Sequence, residues 1–231
     1  MASRPIYCPR IDTFPGVIIK NIDFKWHPGM SKNQKIKSIR SLHESAFQEG
    51  ISQILEVSSK SENILGVELS AFNLMIHTKT KTYSVESAFQ GSKVFEQGGP
   101  FLDLLDKSSL EAKKDPRLNQ SGRLVKFIFY EREYPLVPKS FFYDWLYINA
   151  VYKNFNKYKE IVNYDGFTDI EFNPKKSINC QAYSAALLVS LHKFNVLELA
   201  LTNTQSFLKI LKKEYNYNQK CIGEQKKMFL N

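Results

Sequence analysis

Glu86, Gln90, Lys93 and Gln97 fall four, three and four residues apart in the run YSVESAFQGSKVFEQ. At helical spacing they share one stripe, with Val85, Ala88, Phe89, Ser92 and Phe95 on a more apolar neighbouring face. A carboxylate and an amine two turns apart can flank one ligand; the same pattern also suits a solvated polar face. A second acidic group, Asp165, Asp169 and Glu171, stands in the polar segment NYDGFTDIEFNPKKSINC and gives way to Lys175 and Lys176. Acids beside bases can meet both a developing sugar cation and a phosphate, although an ordinary surface loop has this composition too. The third feature is aromatic: Phe141, Phe142, Tyr143, Trp145, Tyr147 and Tyr152, with Asp144 beside the indole. Such density usually marks a core, yet an indole at a pocket also stacks on a base.

Other chemistries find little support. His27, His43, His77 and His192 show no HExxH or paired spacing, so neither metal catalysis nor a bound cofactor is expected. GxGxxG, GxxxxGK[ST] and GxSxG are all missing. Cys180 precedes an apolar helix whose N-terminus would lower its pKa, which leaves a Cys-dependent hydrolase as a minor alternative. Cys8, Cys180 and Cys221 are odd in number and far apart, so no disulfide framework is expected and a reducing, cytoplasmic compartment is. MASRPIYCPR has no apolar run of a secretory signal, and Ala182 to Leu201 is too interrupted to span a membrane.

The elements that must position these residues read as an α+β fold, predominantly helical, with small antiparallel strand pairings. The first thirty residues look extended, with VIIKNIDFKW a strand after the Pro15-Gly16 turn. Ser31 caps a helix carrying Ile36, Ile39, Leu42, Ala46 and Phe47. Ile51 to Val57 reads as a strand and residues 67–83 as a hairpin with a basic TKTK tip. Ser84 opens a helix closed by Gly98-Gly99, Pro100 starts a short one, and Ser108 with Glu111 forms a capping box. RLVKFIFYEREYP reads as one strand, Ser140 opens the aromatic helix, and residues 163–180 read as an irregular surface loop. Helices resume near Gln181 and Glu198, before a tail carrying Lys209, Lys212, Lys213, Lys220, Lys226 and Lys227. With 231 residues and 43% hydrophobic content the chain suits a real core. Its 32 Lys and Arg against 23 Asp and Glu give a net charge of +9, which favours an anionic partner: nucleic acid, a nucleotide or an acidic protein.

Together these segments resemble a known family. YSVESAFQGSKVF is similar to the Glu-containing helix of NADAR domains, and LSAFNLMI to the segment before it, with Phe72 and Asn73 in the matching places. YDWLY supplies an Asp-Trp position at Trp145, and FTDIEFNPKKSINCQAYSAALLVSL resembles the closing block, with Asp169 and Asn179. The resemblance implies a single NADAR-type domain over 1–231, with an N-terminal extension at 1–65, the common core at 66–192 and a basic extension at 193–231. FKWHPGMSKNQKIKSIRSLHESA, ILEVSSKSE, QGGPFLDLLDKSS and FYDWLYINA place it nearest the NADAR antitoxins paired with DarT-type ADP-ribosyltransferase toxins. One departure stands out: Ile170-Glu171-Phe172 replaces an aromatic-Trp-Gly cluster.

What the resemblance implies is removal of ADP-ribose from guanine bases of nucleic acid, most naturally single-stranded DNA, by cleavage of an N-glycosidic bond. The partners would be ADP-ribosylated nucleic acid, ADP-ribose as product and a cognate DarT-type toxin. Glu86, Lys93, Trp145 and Asp169 are then the expected catalytic residues. Phe72, Asn73, Gln90, Gly98, Gly99 and Asn179 are the expected ADP-ribose contacts, the two glycines through backbone N–H groups. The acid and base roles of Glu86 and Asp169 stay open, as does the choice for Lys93 between phosphate binding and an imine. The alternatives are an N-glycosidase of a small nucleotide-like metabolite and a module that binds ADP-ribose or nucleic acid without turnover.

Overall fold

The computed structural model describes residues 1–173 and 177–217. Lys175, Lys176, Lys220, Cys221, Lys226 and Lys227 lie outside the described residues. The chain opens with an antiparallel pair, β1 (Ala2–Pro9) and β2 (Val17–Phe24), in continuous register from Ala2↔Phe24 to Pro9↔Val17. Helix α1 (Lys32–Gln48) starts where Ser31 Oγ accepts the Gln34 N–H at 3.3 Å. It buries Ile39, Leu42 and Ala46 against β2, whereas Phe47, expected on the same face, is 65% exposed. Next come β3 (Ile54–Glu56), α2 (Ile64–Glu68), β4 (Met75–His77) and β5 (Thr82–Ser84). The hairpin is therefore shorter than expected, because residues 67–74 finish a helix and turn over it.

Helix α3 (Val85–Gly91) ends well before Gly98, and Lys93 lies on a strand, β6 (Lys93–Phe95). Ser92 causes the break: its hydroxyl bonds back to Ala88 O at 2.6 Å, and its carbonyl accepts Ile128 N–H at 2.8 Å from a neighbouring strand. A short 3-10 turn (Leu102–Asp106) precedes α4 (Ser109–Lys114), whose Ser108–Glu111 capping box is formed, and α5 (Arg117–Gln120). The expected single strand at 123–135 is a hairpin, β7 (Leu124–Phe129) and β8 (Arg132–Tyr134). It turns at Tyr130 and Glu131, with φ of +47° and +60°. Then follow α6 (Phe141–Lys153), α7 (Phe155–Ile161), β9 (Gly166–Thr168), α8 (Gln181–Lys193), α9 (Leu197–Leu201) and α10 (Thr204–Ile210), with a further helical stretch over 212–217.

The architecture is α+β and mostly helical. The strands form a β2-β1-β9-β3 sheet, a β4-β5 pair and a β6-β7-β8 sheet. One pairing, β3 with β9, is parallel. Residues 166–168, expected within a surface loop, are instead a buried inner strand carrying Phe167 and Thr168. Helix α8 is buried on every side from Ala182 to Leu191, as an all-apolar helix must be. Its two serines are satisfied: Ser184 donates to Asp144 at 2.6 Å, and Ser190 donates to Arg10 O at 2.6 Å. Around it Phe127 and Phe142 stack at 4.7 Å and Phe89 meets Tyr143 edge-on at 5.1 Å. Each such buried aromatic contributes roughly 1.5–3 kcal/mol by removal from water.

Candidate active site

The first turn of α3 is fixed from three directions. Ser84 Oγ accepts Ser87 N–H at 3.0 Å and the Ser109 hydroxyl at 2.7 Å, and Glu86 N–H donates to Ala71 O at 2.9 Å. Glu86, in that first turn, is buried. Its Oε1 accepts Gln90 Nε2 at 2.9 Å and lies 3.8 Å from Lys113 Nζ, which supplies a counter-charge. Gln90 Oε1 in turn accepts Lys93 Nζ at 2.7 Å. Glu86, Gln90 and Lys93 are thus one hydrogen-bonded chain, with the strand delivering Lys93 to the place a longer helix was expected to. Lys93 Nζ also lies 4.9 Å over the Phe89 ring. Burial pushes its pKa down to about 8; Glu86 opposes the shift and Lys113 adds to it.

Asp169 follows β9 directly. Its Oδ1 accepts the N–H groups of Glu171 at 3.0 Å and Phe172 at 3.2 Å. Burial, and then the neighbouring Glu56 carboxyl, push its pKa up to about 8 against these hydrogen bonds and one from Gln181. Glu56 is itself raised by burial; it accepts Thr168 Oγ1 at 2.6 Å and Ile170 N–H at 2.8 Å. Thr168 Oγ1 sits 2.8 Å from His43 Nε2, and burial pushes that imidazole down to about 4. Since the Thr168 proton goes to Glu56, the neutral His43 donates from Nε2. Gln181, first residue of α8, joins the halves: it donates to Val57 O at 2.5 Å, accepts Ala71 N–H at 2.7 Å and hydrogen-bonds Asp169.

Tyr143 of α6 lies within electrostatic reach of both acids. Its hydroxyl is held well above the usual phenol range by burial first, then by Glu86, Tyr147, Cys180 and Asp169, so it stays a donor. Tyr147, one turn on, stacks with it at 6.2 Å and donates to Leu69 O at 2.9 Å. Cys180 is buried, and burial together with Asp169 pushes its thiol up, against the N–H groups at the start of α8. The low-pKa thiol expected from sequence is therefore absent, and with it the Cys-dependent reading.

The other expected residues are distributed unevenly. Phe72 is near Glu86, since Lys113 Nζ lies 5.0 Å over its ring. Asn73 is exposed and donates to Val67 O at 2.9 Å, holding the turn. Gly98 O accepts Phe95 N–H at 2.7 Å, and Gly99, at φ +91°, packs where a Cβ would meet Lys93 O at 2.2 Å. Both glycines thus shape the strand that carries Lys93. Asn179 precedes Cys180, and its Oδ1 is buried with no hydrogen-bond partner among the described residues. Trp145 is not beside the acids. Two residues from Tyr143, it points about 200° away round α6 and lines a cavity with Tyr130 and Arg132. Gln97 leaves the stripe altogether.

Lys113, Gln181 and Glu56 complete the cluster and were not singled out from the sequence, whereas Tyr143 was named there only within the aromatic run. Tyr143 and Tyr147 at i,i+4 gave a usable signal; Lys113 read as a charged end and Glu56 as part of an apolar strand. Among the described residues no group of three or more His, Cys, Asp or Glu could hold a metal, and no helix is long and apolar enough to cross a membrane. No curated protein matches the chain. A family model, the DarT1-associated NADAR antitoxin, matches residues 2–221, and it spans both acids, the Gln90–Lys93 chain and the N-terminal strands packed against them. The chain belongs to the NADAR antitoxin family associated with DarT1.

Proposed function

We propose that the protein is the antitoxin of a DarT-type ADP-ribosyltransferase and acts by hydrolysing the N-glycosidic bond between ADP-ribose and guanine in single-stranded DNA. The observation that carries this reading is the pair of carboxyl groups within electrostatic reach of Tyr143. Asp169, with its pKa near 8, holds a proton at neutral pH. Glu86 faces Lys113 and the Gln90 amide. Carboxyls in contrasting environments are what acid and base roles require.

In this mechanism Asp169 protonates the departing guanine, and Glu86 faces the positive charge that grows on the ribose. Lys93, with its pKa near 8, carries a substantial amine fraction and attacks the anomeric carbon as the bond to guanine breaks. Glu86 takes the proton that Nζ gives up. Opening of the ribose ring then leaves an imine, and water adds to it, returning Lys93 and releasing ADP-ribose. Phe72 and the Tyr143 hydroxyl border the ribose. Asn179 Oδ1, which has no partner among the described residues, accepts from a ribose hydroxyl.

The test is incubation with a single-stranded oligomer carrying ADP-ribosyl-guanine, with released ADP-ribose followed by mass spectrometry. The unmutated protein should release it. Glu86→Ala and Asp169→Ala should lose about 10²–10⁴-fold in rate while keeping the circular dichroism of the parent. Full activity in either variant removes that residue from the mechanism. Binding of the oligomer with no release by the unmutated protein sinks the hydrolase reading in favour of a binding module.

A further inference from the structure

A groove separate from the carboxyl cluster runs between the β4–β5 hairpin, the β7–β8 hairpin, α6 and the start of α7, around a cavity of about 970 Å³. Trp145 forms part of its wall, half-buried and packed edge-on against Phe207 at 5.3 Å. Tyr130 and Phe155 stand on its rim, each 60% exposed. Lys79, Arg132 and Lys153 complete the basic part of the lining, and no Asp or Glu lines the groove among the described residues. Nor does any of these three cations have a carboxylate partner among the described residues. Elsewhere Lys81, Arg117, Arg123, Lys126 and Lys157 all do. Tyr130 reaches the rim from a turn with φ +47°, a region large side chains rarely adopt, and its hydroxyl is 2.6 Å from that of Tyr83.

Unneutralised cations interleaved with accessible aromatic faces suit a ligand that carries both phosphates and flat bases. A purely acidic protein surface would meet the cations and leave the rings unused; an apolar ligand would leave the cations stranded. We infer that this groove binds single-stranded nucleic acid, holding the nucleotides that flank the modified guanine. The inference rests on the proposed activity for the word "flank", whereas binding of the strand stands on the groove alone. Continuity supports the placement. Strand β4, one wall of the groove, pairs with β5, which runs into Ser84, the cap of the helix bearing Glu86. Helix α6 shows Tyr143 to the carboxyl cluster and Trp145 to the groove, so one helix width, about 10–12 Å, separates them.

The test is fluorescence anisotropy with an unmodified, labelled oligothymidylate. The unmutated protein should bind it more tightly than a duplex of equal length, with affinity falling as salt rises. The double variant Arg132→Glu/Lys153→Glu should bind at least tenfold more weakly and lower the log–log salt slope by about 1.4, at roughly 0.7 for each phosphate left without its cation. Tyr130→Ala and Trp145→Ala should each weaken binding about tenfold by removing a stacking face. Trp145 also packs on Phe207, so the exposed Tyr130 gives the result that a folding defect cannot imitate. Unchanged oligomer binding in the double variant and in Tyr130→Ala overturns the inference. So does the outcome in which these variants lose only the capture of an acidic partner protein.

Turnover separates this inference from the activity it deepens. The double variant should raise KM for the modified oligomer and leave cleavage of ADP-ribosyl-deoxyguanosine at its parental rate. Oligomer binding that obeys these rules, with neither substrate cleaved, would retain the groove and dismiss the hydrolase. Cleavage of both substrates with an unaltered oligomer KM would retain the hydrolase and dismiss the groove.

Discussion

In the proposed mechanism Lys93 is prepared by its neighbours for attack. Its ammonium has left water for a position above the Phe89 ring, with Gln90 as its hydrogen-bond partner, and its pKa falls to about 8. A nucleophilic amine must be neutral while the departing guanine needs a proton from Asp169, so borohydride trapping of a substrate adduct should peak near pH 8 and fall on either side. Lys93→Ala should form no adduct; equal trapping in that variant would leave Lys93 as a phosphate ligand. Asp169 titrates in the same range and in the opposite sense, because a general acid works only while protonated. Asp169→Asn should therefore cost about 10²–10⁴-fold on guanine and far less on ADP-ribosyl para-nitrophenol, whose leaving group needs no proton. An equal loss on both substrates would deny Asp169 the acid role. The spacing in the sequence already set Glu86, Gln90 and Lys93 near one another, and the structure links them as one hydrogen-bonded chain. Trp145 was expected beside the acids and lies on another face of α6, since aromatic density carries no record of which helix face it occupies.

Elements decide whether such residues meet. The stretch 84–97 reads as one helix, and the structure divides it at Ser92 into a helix and a strand. Local propensity could not reveal this, because the strand exists through pairing with β7, where Lys93 opposes Phe127. Residues 166–168 were illegible for a related reason. A short inner strand with a parallel neighbour shows no alternation, and its partners β1 and β3 lie more than a hundred residues away in the chain. By contrast, the caps at Ser31, Ser84 and Ser108 were readable from a few residues each, because capping is a local exchange of hydrogen bonds. The strand that carries Lys93 is held by Gly99, whose φ is +91° and whose Cβ position would fall 2.2 Å from Lys93 O. Gly99→Ala must push that strand aside, at a cost of about 1–3 kcal/mol. A lower melting temperature and slower turnover are expected together. If only stability falls, β6 shifts without carrying the amine out of line.

Across the whole molecule the N-terminal strand pair and the last described helical stretch are joined through buried charge. Glu214, at the end of the described chain, accepts Val17 N–H at 3.1 Å and Tyr183 OH at 2.8 Å, and pairs with Arg10 at 3.8 Å. Beside it Asp144 accepts Ser184 Oγ at 2.6 Å and Tyr215 OH at 3.2 Å. Burial pushes Asp144 up to about 7 from its ordinary 3.8, against those hydrogen bonds and with Glu214 adding to the rise. A carboxyl raised in the folded state binds its proton more tightly there than in the unfolded chain. It therefore contributes stability that is complete below about pH 4, declines between 4 and 7, and is gone above 7. Asp169 acts in the same direction up to about pH 8. His43, lowered from 6.5 to about 4, acts the other way: its contribution is full above 6.5 and is lost as pH falls toward 4. Asp144→Asn keeps an acceptor for Ser184 and removes the titration. The variant should melt higher than the parent at pH 8, by an amount on the order of 4 kcal/mol at 1.36 kcal/mol per pKa unit, and lose that advantage as pH falls to about 4. Thermal melts of both proteins across this range decide it. A constant difference at every pH would mean that Asp144 stays in one protonation state throughout, and that the two segments are joined by hydrogen bonding alone.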